Sequence, residues 1–347
     1  MKRIFYLALF FCLSTGWGFA QTNMQPAATI NLIRTEAITV GQLRTEVEKL
    51  EKASGQTLND QQRREVLDVM INERLALQAA ERDKVTVSDN EVNTQLNQLR
   101  EQMAQAIGRQ PTDAEFATAV RNETALEMPA YRDQVRRQLI VQKYLMTKKE
   151  DTFRNIRVPT ESEILNMYNL HRTRFVRPET VRFSMIQVPF GSDAAAKSRA
   201  KETADRLARE IGTSASRFDE IALRGQAANS GYQAGDGGYL PRNVEAAQIV
   251  GQEFLNIAFN LKQGEVSRVI EGRLGYQIIK ITETYVMKSL DLDDVFQLGS
   301  RATVRDFIGN GLMQELQMEV LQKATEELVA ELRAGRTFQI FDRNLHW

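Results

Sequence analysis

Hydrophobic positions change period twice along the chain. Between Asp60 and Asp83, Val66, Val69, Met70, Leu77 and Ala80 fall at the three- and four-residue steps of one helix face. Between Val181 and Val188 apolar and polar residues alternate in a β-branched run, the pattern of a strand with one buried face. From Phe307 to Arg333 the helical stripe returns as Leu312, Leu316, Val320, Leu328 and Leu332. The chain thus reads as helical, then mixed, then helical.

The first part is predicted to hold one short strand, Ala28–Ile33, followed by helices. Thr39/Gln42, Ser88/Glu91, Thr112/Glu115 and Thr160/Glu163 have the spacing of a capping box, and Asn59/Gln62 resembles it. Each stands before a helical stretch, so each marks a helix start. The predicted helices include Asp60–Asp83, Asp89–Ile107 and Tyr131–Lys149. The cations of the last of these, Arg132, Arg136, Arg137, Lys143 and Lys148, read as a solvated face.

The middle part is predicted to contain the strand Val181–Val188, helices Ala194–Ile211, Phe218–Arg224 and Phe254–Leu261, and strands Val266–Ile270 and Gly275–Ile281 joined by a turn through Gly272. Between them, four glycines fall within Gly231–Gly238, which demands unusual backbone angles or close backbone approach. The stretch lacks the Lys-Ser/Thr ending of a phosphate cradle. In the last part Gly335 is expected to stop the helix, and Phe338–Phe341 to form a final strand. That strand needs a partner, and the spare one lies near Ile30. The two ends of the chain are therefore expected to build one domain with the middle part inserted. A fragment from Gln21 to Lys149 should then be poorly soluble by itself.

The expected fold class is α+β: a discontinuous, mostly helical domain made from both ends, and an inserted domain with a small antiparallel sheet flanked by helices. The expected boundaries are a leader over 1–20, a helical domain over 21–173, the inserted domain over 174–286, and a completing helix and strand over 287–347.

Composition narrows the function. Lys2-Arg3, the apolar run Ile4–Leu13 and the small-x-small end Gly18-Phe19-Ala20 have the layout of a secretory signal cut after Ala20. The run is shorter than the roughly 20 apolar residues of a membrane span, and Cys12 sits behind Phe11 where a lipid-anchored leader would carry a small residue. Losing Lys2, Arg3 and Cys12 leaves 43 basic against 45 acidic side chains and no cysteine. A near-neutral chain is not a basic nucleic-acid binder. Without cysteine there is no disulfide framework and no thiolate metal site. His171 and His346 are the only histidines, so no metal centre or cofactor is expected. His171 reads as a helix C-terminal residue, His346 as part of a disordered end, Asp236 as a turn residue and Tyr239 as packing on the glycine loop.

Several blocks resemble a known family. Ala28–Asn31, Ile38–Leu43, Val66–Ala80 and Val85–Val92 resemble the opening of SurA-type exported chaperones. Val181–Val188, Gly235–Leu240, Phe254–Leu261 with Gly264–Ser267, and Gly275–Lys280 resemble a parvulin-type peptidyl-prolyl isomerase domain. The resemblance implies a periplasmic protein with unfolded or extended polypeptide clients, outer-membrane proteins among them, and with neither nucleotide nor nucleic acid as partner. It also implies two histidines facing each other under the bound proline and a Cys or Asp in the loop before the glycines. Those positions are Met185, Gln277 and, in the loop, Gln226 or Ala227. The catalytic set is therefore expected to be degenerate. The apolar walls of the slot would be Leu240, Val250 and Phe254, with Met185 and Gln277 beneath. Plain core packing is the alternative for the three walls, and filler for the other two. Isomerisation must overcome a barrier of about 18–20 kcal/mol and needs no covalent step, so a site that binds the twisted amide best accelerates it. Met185 has no donor to contribute and Gln277 has one. The expected function is an ATP-independent holding chaperone with weak or absent isomerase activity. The alternatives are a working isomerase using Gln277 with the hydroxyl of Ser184 or Ser230, and an assembly partner of one folded protein.

Overall fold

The computed structural model describes residues 23–191, 193–227 and 230–347. The leader expected over 1–20 lies outside these residues. The chain forms two compact units, one from residues up to Arg157 together with Leu316–Trp347, the other Val158–Glu315.

The first unit opens with an antiparallel hairpin, β1 (Pro26–Asn31) and β2 (Thr35–Thr39). Thr39 then caps α1 (Val40–Ser54): its hydroxyl accepts the Gln42 N–H at 3.2 Å, and Gln42 Oε1 accepts the Thr39 N–H at 3.0 Å. The same reciprocal box starts α2 (Asp60–Arg82) at Asn59, α3 (Asp89–Ile107) at Ser88 and α4 (Asp113–Thr124) at Thr112. Each box satisfies donors that the first helical turn leaves unpaired. α5 (Met128–Lys148) begins three residues before the predicted Tyr131, with Pro129 in the first turn, where no intrahelical N–H is needed. A short α6 (Glu150–Arg154) follows.

Leu67, Ile71 and Leu75 of α2 are fully buried against Ile30, Ile38 and Leu43. Gln78, also fully buried, accepts the Leu32 and Ile33 N–H groups at 3.2 and 3.1 Å and so pairs the hairpin turn. The cations of α5 lie on an exposed or partly exposed face, as the sequence suggests, and four of them pair there with acids of neighbouring helices or turns. Arg136 pairs with Asp89, Lys143 with Glu91 at 2.8 Å, Lys148 with Asp83 at 2.6 Å, and Arg137 approaches Glu73 at 4.0 Å. The carboxylates at the end of α2 and the start of α3 face α5 and draw these side chains across.

In the second unit Thr160 caps α7 (Glu161–Leu170), and His171 is its C-cap, its backbone N–H bonding the Met167 carbonyl. β3 (Val176–Arg177), β4 (Thr180–Pro189), α8 (Ala194–Ile211), α9 (Ala215–Gly225), β5 (Gln233–Pro241), α10 (Val244–Val250), α11 (Gln252–Asn260), β6 (Ile270–Glu271), β7 (Gly275–Tyr285) and β8 (Lys288–Ser289) follow. The main sheet is antiparallel in the order β5-β4-β7-β6. β3 and β8 pair with each other as a separate two-stranded antiparallel sheet. The predicted strand Val266–Ile270 shrinks to β6, with Val266 making a single bridge to Lys280.

α12 (Val304–Ala334) starts in the second unit and ends in the first, stopping before Gly335 as expected. β9 (Phe338–Ile340) then pairs antiparallel with β1, Ala28 opposite Ile340 and Ile30 opposite Phe338, to complete the sheet β2-β1-β9. The helical domain is discontinuous for this reason. The chain end is held, contrary to the disorder expected around His346. Arg44 and Arg63 lie over the Trp347 ring at 5.1 and 5.3 Å, and Arg63 donates to the Trp347 carbonyl at 2.6 Å. The units divide after Arg157 and after Glu315, outside the expected 174–286. Ile164 and Tyr168 of α7 share a core with Phe175, Leu290, Val304 and Ile308, which binds these flanks to the inserted sheet's unit.

Candidate functional site

Alternation along β4 decides what reaches each face of the main sheet. Ile186 and Val188 point to the side covered by α8 and α9. Val181, Phe183 and Met185 point to the side covered by α10 and α11, as do Ile279 and Ile281 of β7. Phe254 of α11 is buried here, its ring edge-on to Phe183 with centroids 5.5 Å apart.

The glycine-rich strand β5 closes over this ring. A Cβ on Gly237 would lie 2.2 Å from Phe183 Cε2, so only glycine lets the backbone pass. Gly238 has φ +79°, the left-handed region that glycine reaches without strain. Between β5 and α10 lies a cleft of about 290 Å³, lined among others by Phe183, Tyr239, Leu240, Pro241, Ile249 and Val250. Ile249 stands 73% exposed on its rim.

Beneath, Met185 pairs with Ile279, while Gln277 pairs with Gln187 and Ile270. Met185 and Gln277 are therefore diagonal neighbours on one face of adjacent strands. Gln277 packs on the β6–β7 turn: a Cβ on Gly272 would meet its Oε1 at 2.9 Å. The Gln277 amide is half-buried and has no hydrogen-bond partner among the described residues. Leu240 and Val250 thus wall the cleft. Phe254, Met185 and Gln277 lie on the same side of the sheet without lining it. Ala227 is exposed just past the end of α9, its backbone N–H on the Arg224 carbonyl. Part of the loop beyond, residues 228 and 229, lies outside the described residues.

The hydroxyls considered as substitutes do not reach the floor. Ser184 alternates onto the opposite face, between Asp236 and Lys280. Ser230 bonds the Tyr232 carbonyl at 2.5 Å within its own turn. Sequence reading missed two features of the cleft, Phe183 and α10. Phe183 was legible in retrospect from its two-residue step to Met185 and from the glycines opposite.

A charged cluster borders the cleft at Tyr239. Arg182 binds Asp236 at 2.7 Å and Glu283 at 2.9 Å and lies 5.2 Å over the Tyr239 ring. Hydrogen bonds from Arg182 and from the Gly238 N–H hold the Asp236 carboxyl below its usual range. The Tyr285 hydroxyl and Arg182 do the same for Glu283, and that bond pushes the Tyr285 phenol up to about 12. These groups keep their charge states near neutrality. They brace the strand ends and are poor proton carriers. Asp236 is the turn residue expected of it, accepting the Gly238 N–H at 2.9 Å.

Comparison with known proteins matches these two units. Residues 159–296 match the model of the PPIC-type PPIASE domain, and residues 1–148 that of the SurA-like N-terminal domain. The chain carries a SurA-like N-terminal domain and a PPIC-type domain. This SurA-like chain is 24% identical over 305 residues to Foldase protein PrsA of Clostridium botulinum (strain Loch Maree), covering 86% of the chain and 79% of the relative. It is 25% identical over 262 residues to Chaperone SurA of Saccharophagus degradans, covering 74% of the chain and 57% of that protein. A solved chain from a study of two SurA-like chaperones of Campylobacter jejuni is 13% identical, with a TM-score of 0.38, covering 91% of this chain and 99% of the other. No helix among the described residues is long and apolar enough to cross a membrane.

Proposed function

We propose that this SurA-like protein is an exported, ATP-independent chaperone that holds unfolded outer-membrane-type polypeptides in the periplasm. Its PPIC-type domain binds apolar or proline-containing segments and has weak or absent isomerase activity. The relatives, a foldase and a chaperone by name, support the general role. The leader-like start supports export.

One observation carries the reading of the PPIC-type domain. The cleft is lined mostly by apolar residues, with Tyr239, Asn243 and Glu245 among them, and the sheet face beneath it bears Phe183, Met185, Gln187, Gln277, Ile279 and Ile281, none of them titratable. Such a face desolvates a proline ring and supplies little electrostatic stabilisation to a twisting amide. In a protease-coupled assay on an X-Pro peptide, the full chain should leave relaxation at the uncatalysed scale of about tens of seconds. The double variant Met185→His/Gln277→His should shorten it. The same chain should suppress aggregation of an unfolded β-barrel protein at near-stoichiometric ratio without nucleotide; no protection there would remove the holding role. The unpartnered Gln277 amide favours a second reading, an isomerase whose donor is that amide. Acceleration by the unmodified chain that disappears in Gln277→Ala would establish it.

A further inference from the structure

Four of the five cations on α5 find carboxylates on neighbouring helices or turns, and Arg132 does not. No hydrogen bond or ion pair engages its guanidinium among the described residues, although the side chain is half-buried. It borders a cleft of about 270 Å³ between α3, α4 and α5. Asn93, Asn97 and Arg100 stand in a row along α3, one turn apart, with Leu96 between them. Phe116 of α4 and Met128 of α5 complete the apolar floor. Arg100 is engaged: its guanidinium binds Asp113 at 2.5 Å and lies 5.0 Å over the Phe116 ring. Arg132 is thus the cation in this cleft with no counter-charge.

We propose that this cleft is a second polypeptide-binding site, which takes an extended segment carrying an acidic side chain flanked by apolar ones. The inference rests on the chaperone reading for its class of ligand and adds a chemical preference to it. A half-buried guanidinium loses hydration that a carboxylate can replace through two parallel N–H···O bonds. The amides of Asn93 and Asn97 each offer a donor and an acceptor, which suits a peptide backbone. The row from Asn93 to Arg100 spans about 10 Å of helix, the length of about three extended residues at roughly 3.3 Å each. A segment lying along α3 would place one apolar side chain on Leu96, Phe116 and Met128 and its acidic neighbour at Arg132. The Arg132 fork matches a carboxylate in charge and geometry, so the site ranks ligands by the carboxylate and not by sequence at large.

The test uses the full chain and a fluorescein-labelled, C-terminally amidated peptide with one aspartate between two phenylalanines, followed by anisotropy. Its partner peptide has asparagine in place of the aspartate. The acidic peptide should bind about tenfold more tightly or better, and 0.5 M salt should erase most of that difference. Arg132→Gln should bring the acidic peptide down to the level of the asparagine peptide and leave the latter unchanged. Because no hydrogen bond or ion pair engages Arg132 among the described residues, the thermal unfolding midpoint of the variant should stay close to that of the parent chain. Asn97→Ala should weaken both peptides alike. Equal binding of the two peptides, or a preference that survives Arg132→Gln, overturns the proposal. A free-carboxylate version of the asparagine peptide that alone binds tightly also overturns it, in favour of chain ends. Aggregation suppression of the β-barrel client is measured in parallel. If it is absent while the acidic peptide still discriminates through Arg132, the chaperone reading fails and this site stands.

Discussion

The two faces of the β5-β4-β7-β6 sheet are made by the same strands, residue by residue in alternation, and the cleft lies on one of them. On one side Ile186, Val188, Tyr276 and Ile278 meet α8, eighteen residues long, and α9, whose Phe218 is fully buried. On the other, Val181, Phe183, Ile279 and Ile281 meet α10 and α11, of seven and nine residues, divided at Gly251 with φ +90°. A long amphipathic helix covers a strand pair along its whole length and leaves a dry core. Two short helices broken at Gly251 leave the space between β5 and α10 uncovered. The difference teaches that the binding face is set by its cover more than by its strands, because the strands supply apolar residues to both sides.

The largest effect that separates the faces should come from cutting a ring on each. Phe218→Ala empties a closed layer and should cost about 3–5 kcal/mol. Phe254→Ala removes a ring that packs on Phe183 beside the cleft, where neighbours can move into the space, and should cost at least about 1 kcal/mol less. Urea titration of both variants gives the comparison. Equal losses would mean that the cleft side is as tightly closed as the other, and the contrast would be lost.

Much of this arrangement was legible from residues alone. All five capping signatures start helices where they stand, because a cap is a local bargain between one side chain and the first helical turn. The pairing of Phe338–Ile340 with β1 followed from counting strands without partners. What escaped was set by distant partners. The cations of α5 read correctly as a solvated face, but the acids of α2 and α3 that they pair with depend on how the helices pack. α10 escaped because it is short, because Asn243 caps it without an acid or glutamine at the third position, and because Val244 and Ile249 are exposed and give no buried stripe. The glycines of β5 announced close approach, but which ring they admit, that of Phe183, depends on a register 54 residues away. Met185 and Gln277 could be matched to the family's histidine positions, whereas their diagonal placement on one face required the pairing of β4 with β7.

A smaller effect tests how the cleft is kept open. Gly237→Ala places a methyl group 2.2 Å from the Phe183 ring, and one of the two must move. Overpacking of this kind typically costs about 1–3 kcal/mol. The companion change Gly235→Ala meets nothing within 4 Å and should cost little. Chemical denaturation of the two variants should therefore differ clearly. If they match, β5 yields freely and the ring does not fix the cleft wall.

The smallest change in stability should come from the rim, and it is also the sharpest test of what the open face does. Ile249 is 73% exposed on α10 and borders the cleft, so Ile249→Ser removes little buried surface. Its effect on unfolding should stay within about 0.5 kcal/mol. Ile249 stands at the mouth of the cleft, where a ligand seated between β5 and α10 would cover the side chain. Binding of a proline-containing apolar peptide, read by anisotropy, should therefore weaken several-fold in Ile249→Ser. The matching change on the closed side, Leu223→Ser on α9, alters a residue that is 69% exposed and should leave binding as it was. A parallel loss in both variants would show that peptides adhere to any exposed apolar group of this unit. Loss in Ile249→Ser alone ties recognition to the face that the two short helices leave uncovered.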